Sequence, residues 1–207
     1  MTSPATARPP TKRSMVAQNT KLRMIQAAIA VFSEHGYEKA TTRELAERAG
    51  VSEGLIYRHF GGKRELLFAS LEAERDGSPA TFEPMPASAT LEQHLGSILK
   101  NRMSRMMQHR DFMRVCMSLA AIDSELGQLM VTIEQQTVAN LVQHLETLRE
   151  QGKISPTADL DAAASGLNML VFGMAFNWQV IFGRSKAYAE RYATSLAAIL
   201  TNGLSAN

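Results

Sequence analysis

Apolar residues recur at intervals of three and four along almost the whole chain, and strict alternation is scarce. That spacing lines one face of successive helices and supplies little for a sheet, so an all-α fold is predicted. A chain of 207 residues is long enough for a small domain joined to a larger one, each with its own core.

The first helix is expected over Thr20 to His35, with Leu22, Ile25, Ile29 and Phe32 on one face and Gly36 as its stop. Thr41-Thr42-Arg43-Glu44 reads as a capping box, Thr41 and Glu44 satisfying each other's backbone donors at the start of a short helix to Ala49. Gly50 permits a sharp turn, Ser52 is placed to cap the next helix, and Leu55, Ile56 and Phe60 anchor it before Gly61-Gly62. From Lys63 to about Arg75 a fourth helix brings Leu66, Leu67 and Leu71 beneath the other three.

Pro79, Pro84 and Pro86, mixed with Ser, Thr and Ala, mark a connection. Beyond it helices are predicted at Leu91–His109, Asp111–Ile122, Ser124–Gln151, Leu160–Phe182 and Lys186–Gly203. The expected division is a disordered basic arm at 1–19, a helix-turn-helix domain at 20–76, a linker at 77–90 and a larger helical domain at 91–207.

Charge is distributed unevenly. Through Arg64, eleven Lys and Arg stand against five Asp and Glu, a net of +6, while the remainder carries eleven against fifteen, a net of −4. An anionic partner for the N-terminal third follows, nucleic acid or a membrane surface, with a solvated basic face as the alternative. Cys116 is the sole cysteine, which excludes an intramolecular disulfide and a multi-cysteine zinc cluster and suits a reducing, cytoplasmic compartment. No secretory signal is read at the N-terminus, and the nearly apolar stretch Ala162 to Phe176 is too short and too polar for a membrane span.

Ala46 stands four residues before Gly50 and Ile56 six after it, the arrangement of a helix-turn-helix: a small residue where the helices approach, a glycine at the turn, and Val51 and Ile56 in the angle. The segment TTRELAERAGVSEGLIYRHFGGKREL, preceded by an amphipathic helix ending in His35-Gly36-Tyr37, resembles the DNA-binding domain of the TetR family of bacterial transcriptional regulators over about residues 20–70. The resemblance implies that the helix from about Ser52 to Phe60 enters the major groove. It also implies that Thr42, Tyr57 and Lys63 contact the DNA backbone and that Glu53, Gly54, Arg58 and His59 lie near bases or flanking phosphates.

Arg43 is a further phosphate candidate, and Lys63, opposing the dipole at its helix start, is read as a phosphate ligand. Phe60 is read as core. Glu53 departs from the neutral or positive residues often found at its place; it either accepts from cytosine N4 or serves the helix dipole. Arg8, Lys12, Arg13, Lys21 and Arg23 either add minor-groove and backbone contacts or form a solubilising tail.

Leu160 to Phe182 is apolar on nearly every side, with Gly166 and Gly173 allowing close approach, and is expected to be buried all round, most economically in a homodimer. The resemblance implies the same pairing of the last two long helices, two recognition helices about one DNA turn apart and a palindromic operator. Nine of the 12 methionines fall between Met85 and Met174. Met103, Met106, Met107, Met113, Met117 and Met130, beside Phe112, Phe172, Phe176 and Trp178, are candidates for a pocket that takes a small lipophilic effector, against ordinary core filling for each methionine singly. Asn168, Asn177 and Gln179 require partners, supplied by that ligand or by a second subunit.

No phosphate loop, dinucleotide fingerprint, nucleophile elbow or His-Glu-x-x-His occurs, Ser97-x-x-Lys100 lacks its companion motifs, and the five histidines form no close pair in sequence. Neither enzyme activity nor a metal or other cofactor is expected. The reading is a ligand-responsive, dimeric DNA-binding regulator, most simply a repressor released by its effector. The alternatives are a nonspecific architectural DNA protein and a helix-turn-helix protein with a catalytic C-terminal domain.

Overall fold

A computed structural model describes residues 12–76, 82–173, 182–183 and 185–204. Among these residues run α1 Lys12–His35, α2 Thr42–Ala49, α3 Glu53–Phe60, α4 Lys63–Asp76, α5 Leu91–Gln108, α6 Arg110–Ala120, α7 Ser124–Glu150, α8 Leu160–Phe172 and α9 Lys186–Leu204, with no strand. The chain divides into two compact units, 1–74 and 75–207.

In the first unit α1 starts at Lys12, not at Thr20. Thr20 caps nothing: its hydroxyl donates to Val16 O at 2.9 Å, a bond inside a running helix. The run Met15-Val16-Ala17-Gln18 has residues that tolerate a helix and no Gly or Pro to stop one, so residues 12–19 extend α1 where a disordered arm was expected. Leu22 is exposed (49 %), and the buried face of α1 is instead Met24, Ile25, Ala27, Ala28, Val31 and Phe32. Leu45, Ala46 and Ala49 of α2, Ile56 of α3 and Leu66, Leu67 and Leu71 of α4 are buried too, closing a small apolar core.

The turn between α2 and α3 hinges on Gly50, whose left-handed φ of 64° costs a glycine little, and Val51 N–H donates to Ala46 O at 3.0 Å. Half of the expected capping box is present. Glu44 N–H donates to Thr41 Oγ1 at 3.2 Å, but the Glu44 carboxylate is drawn to His35 Nδ1 at 2.6 Å, tying the end of α1 to the first turn of α2. Ser52 occupies the N-cap position of α3 without a side-chain cap bond; its exposed hydroxyl and the exposed first turn are left to water.

In the second unit, α5, α7, α8 and α9 pack around Leu95, Leu99, Met103, Leu141, Leu145, Leu167 and Ala197. Gly96 brings α5 close to α9, since a Cβ there would stand 3.6 Å from that of Ala197. Thr90 and Gln93 form a complete capping box at the start of α5, and Asp123 and Asp159 cap α7 and α8. Cys116 of α6 is fully buried.

All-round burial of the helix from Leu160 is not what the chain shows. Leu160, Ala163, Ala164, Leu167 and Val171 face α5 and α7, whereas Asp161, Ala162, Ser165 and Met169 are exposed, with no element among the described residues covering them. The helix is described as far as Phe172; Met174, Phe176, Asn177, Trp178 and Gln179 lie outside the described residues, as do Arg8 and positions 77–81 of the expected linker. No helix among the described residues is long and apolar enough to cross a membrane.

Candidate functional site

The α2–turn–α3 unit presents one continuous outer face. Ile56 is wholly buried and holds α3 on the core, while Glu53, Gly54, Tyr57 and Arg58, on the opposite side of the same two turns, are exposed. Half of the Tyr57 surface is open to solvent (53 %) although its ring is among the largest apolar bodies of the unit. Gly54 stands inside a helix with nothing within 4 Å of the position its Cβ would take. A helical glycine with no packing reason of its own leaves room for something to approach α3 from outside.

Polar contacts order this face. The Thr42 hydroxyl, in the first turn of α2, donates to Glu53 Oε1 at 2.5 Å and lies 3.4 Å from the Tyr57 hydroxyl. Glu53 sits at the start of α3, where a negative charge meets the positive end of the helix. Arg43 pairs with Glu47 at 3.0 Å on an exposed stretch of α2. His59 packs beside Phe60 with ring centroids 6.4 Å apart, and the Lys21 ammonium stands 5.5 Å from the Phe60 centroid. Phe60 is therefore half-buried under a cation, not sealed in the core.

Lys63 is placed differently from its sequence reading. Its ammonium donates to Tyr37 O at 2.8 Å and Ala40 O at 3.0 Å and stands 4.2 Å from the centre of the Tyr37 ring. The start of α4 is thereby stapled to the loop between α1 and α2, using two of the three ammonium protons. Sequence reasoning saw a lysine opposing its own helix dipole but had no means of seeing two carbonyls more than twenty residues upstream.

The described members of the methionine-rich set in the second unit differ in burial. Met103 and Phe112 are core, Met106 and Met107 pack at its edge, and Met113, Met117, Met130 and Phe172 are half-buried. Three cavities among the described residues have other walls. One cavity, of about 200 Å³, is walled by Phe82, Pro84, His94, Ile98, Asn101, Arg102 and Arg105. A second, also about 200 Å³, shares Phe82 and Pro84 and adds Met85, His144 and Leu148. A depression of about 530 Å³ between α7 and α8 is lined by Glu134, Val138, Val142, Asp161 and Ser165.

Two polar groupings, each at least partly buried, border these cavities. His94 Nε2 and His144 Nε2 are 2.8 Å apart, so one ring donates and the other accepts, and the Phe82 ring lies 5.1 Å from that of His144. Burial holds His94 below the ordinary imidazole value; burial, then the charge that His94 would carry, bring His144 down to about 4. Arg102 donates from Nη2 to Asn168 Oδ1 at 2.9 Å, and Asn168 Nδ2 donates to Glu134 Oε1 at 3.5 Å. Asn168 thus finds its partners within its own chain. A sequence signal for Arg102 existed: it interrupts the apolar stripe Leu95, Leu99, Met106 of α5.

The profile described as "Bacterial regulatory proteins, tetR family" matches residues 24–70. The HTH-type transcriptional regulator SrpR of Pseudomonas putida is 38 % identical over 73 residues, 35 % of this chain and about a third (34 %) of its own length. The HTH-type transcriptional regulator UidR of Escherichia coli (strain K12) is 22 % identical over 192 residues, covering 89 % of this chain and 95 % of that protein. The transcriptional regulator FadR from Bacillus subtilis, solved in complex with stearoyl-CoA, shares the fold with a TM-score of 0.67 at 19 % identity, over 88 % of this chain and 98 % of that one. With α1 to α4 folded as a helix-turn-helix unit over the matched residues, the first unit carries the N-terminal domain of the bacterial regulatory proteins of the tetR family, and the chain as a whole shares the fold of such regulators as FadR.

Proposed function

We propose that the protein is a sequence-specific, ligand-responsive transcriptional regulator, a repressor that leaves a palindromic operator when a small effector binds the second unit. The exposed face of α3 carries this reading: Gly54, Tyr57 and Arg58 serve no packing need of their own unit and match what a major groove requires, a close approach, a phosphate-directed hydroxyl and a guanidinium able to take guanine O6 and N7. Ser52, Glu53, His59, Thr42 and Arg43 border that face, and Lys63 offers its remaining proton to a flanking phosphate. The uncovered side of α8 at Met169 (68 % exposed) and of α9 at Ile199 (64 %) is the surface for a second copy of the chain, which gives two reading heads and hence a two-fold operator.

The second unit supplies the response. An effector that prefers the conformation unable to bind DNA about 100-fold shifts the balance by roughly 2.7 kcal/mol. The stearoyl-CoA held by FadR shows that one protein of this fold takes a long acyl ligand, in keeping with a lipophilic effector here.

Anisotropy of a labelled duplex taken from upstream of this protein's own gene, against a scrambled duplex at near-physiological salt, tests the reading. A preference of about a thousandfold or more is expected. Equal affinity for both, and for fragments selected from the whole genome, would replace it with the architectural alternative.

A further inference from the structure

Among the described residues Arg102 is a cation without a counter-ion. It lies on the apolar side of α5 among Leu95, Leu99 and Met103, its Nη2 is given to the neutral Asn168 amide, and its buried Nε has no hydrogen-bond partner. No carboxylate among the described residues forms an ion pair with it, and Arg105, almost one turn further along α5, adds charge of the same sign. A lysine in such a place escapes the cost of burial by losing its proton; a guanidinium holds its own and needs an anion.

The cavity of about 200 Å³ beside Arg102 is where that anion has room. Its other walls include the apolar Phe82, Pro84, Pro86 and Ile98 and the polar Ser97 and Asn101, so a charged end is offered next to an apolar one, and His94, kept neutral by burial, offers a ring nitrogen without charge. Glu83 also lines the cavity, but it is exposed to solvent and makes no ion pair with Arg102.

We infer that this cavity binds a small organic anion, with a carboxylate, sulfonate or phosphate head set against Arg102 and an apolar body set against Phe82 and Ile98. The inference rests on the second unit being the effector domain and specifies the chemical class of its ligand. Arg102 selects the head, because a neutral analogue leaves the buried guanidinium unpaired.

Two fluorescent probes differing only in a sulfonate test it on the full chain without DNA: 1-anilinonaphthalene-8-sulfonate and N-phenyl-1-naphthylamine. Saturable binding of the sulfonate is expected. Arg102→Gln should weaken it at least tenfold and change affinity for the neutral probe less than threefold, Arg102→Lys should fall between, and Glu83→Gln should bind the sulfonate as well as or better than the parent. A measurement on the parent protein stands if Arg102→Gln fails to fold: octanoate should displace the bound sulfonate, and octan-1-ol at the same concentration should not. Absence of saturable binding, equal losses for both probes, or equal displacement by acid and alcohol would overturn the inference. Since no operator is present, a chain that reads no specific DNA can still pass this test. Conversely, specific operator binding with no preference for the anion sinks this inference alone.

Discussion

The Thr42 hydroxyl donates its only proton to Glu53 Oε1, at 2.5 Å, across the angle between α2 and α3. On the proposed DNA-reading role of this face, a carboxylate therefore occupies the donor that a phosphate would take. Replacing it with Glu53→Gln should tighten binding to every duplex about three- to tenfold, by removing like-charge repulsion and loosening the hold on Thr42. Anisotropy titrations against operator and scrambled DNA check this. If Glu53 instead accepts from a cytosine N4, the same variant weakens operator binding and alters preference at one base pair.

Lys63→Ala separates two roles in one experiment. The ammonium bridges to Tyr37 O and Ala40 O, so its removal should destabilise the first unit by about 1–3 kcal/mol in denaturant unfolding. Contact of the remaining proton with phosphate should in addition lower the slope of log affinity against log salt by about one unit. A variant that melts like the parent would show that the staple adds nothing to stability.

Gly54→Ala is expected to move stability and function in opposite directions. With open space at the Cβ position, alanine should stabilise α3 by about 0.5–1 kcal/mol. The added methyl should nonetheless cost at least threefold in operator affinity, by standing where the groove closes on the helix. Thermal unfolding and operator titration of the same preparation read both effects.

His144 makes the second unit sensitive to acid. The folded chain holds this ring neutral until about pH 4, against an ordinary value of 6.5, so between those limits the unfolded chain takes up protons that the folded chain refuses. Stability should be flat above about pH 6.5, decline as pH falls toward 4, and lose on the order of 1–2 kcal/mol, allowing for the ring's partial exposure. In His144→Gln the melting temperature should vary less over that range; an unchanged pH profile would remove the pair as its cause.

An aspartate at Met169 or Ile199, both exposed on the single chain, should halve the sedimenting mass without lowering helix content. Val171, on the same helix as Met169, is the wrong place for this test, because it is buried in the chain's own core and a charge there would unfold it.

Helix ends and the turn were legible in the sequence wherever the signal was local. Gly36 and Gly50 each adopt the left-handed backbone their positions foretold, and α5, α7 and α9 end within a residue or two of the predicted limits. What escaped notice was carried by contacts between distant positions. Glu44 is claimed by His35, Lys63 by carbonyls of the α1–α2 loop, and His94 by His144 fifty residues away, and no spacing rule reports such pairings. The start of α1 was missed for the opposite reason: a run of helix-tolerant residues without a cap gives no punctuation to read. In the second unit an arginine breaking the apolar stripe of α5 was a signal that spacing alone could have raised.

Cys116, buried in α6, has a practical meaning for whoever follows this protein in solution. It is the chain's one thiol and is closed to bulky maleimides while the fold holds, so a cysteine introduced at the exposed Lys39 would be the sole attachment point for a spin label. Each two-fold assembly would then carry a matched pair of reporters, and pulsed dipolar spectroscopy would read the spacing of the two DNA-reading units directly, with and without effector, in a background that needs no cysteine removed.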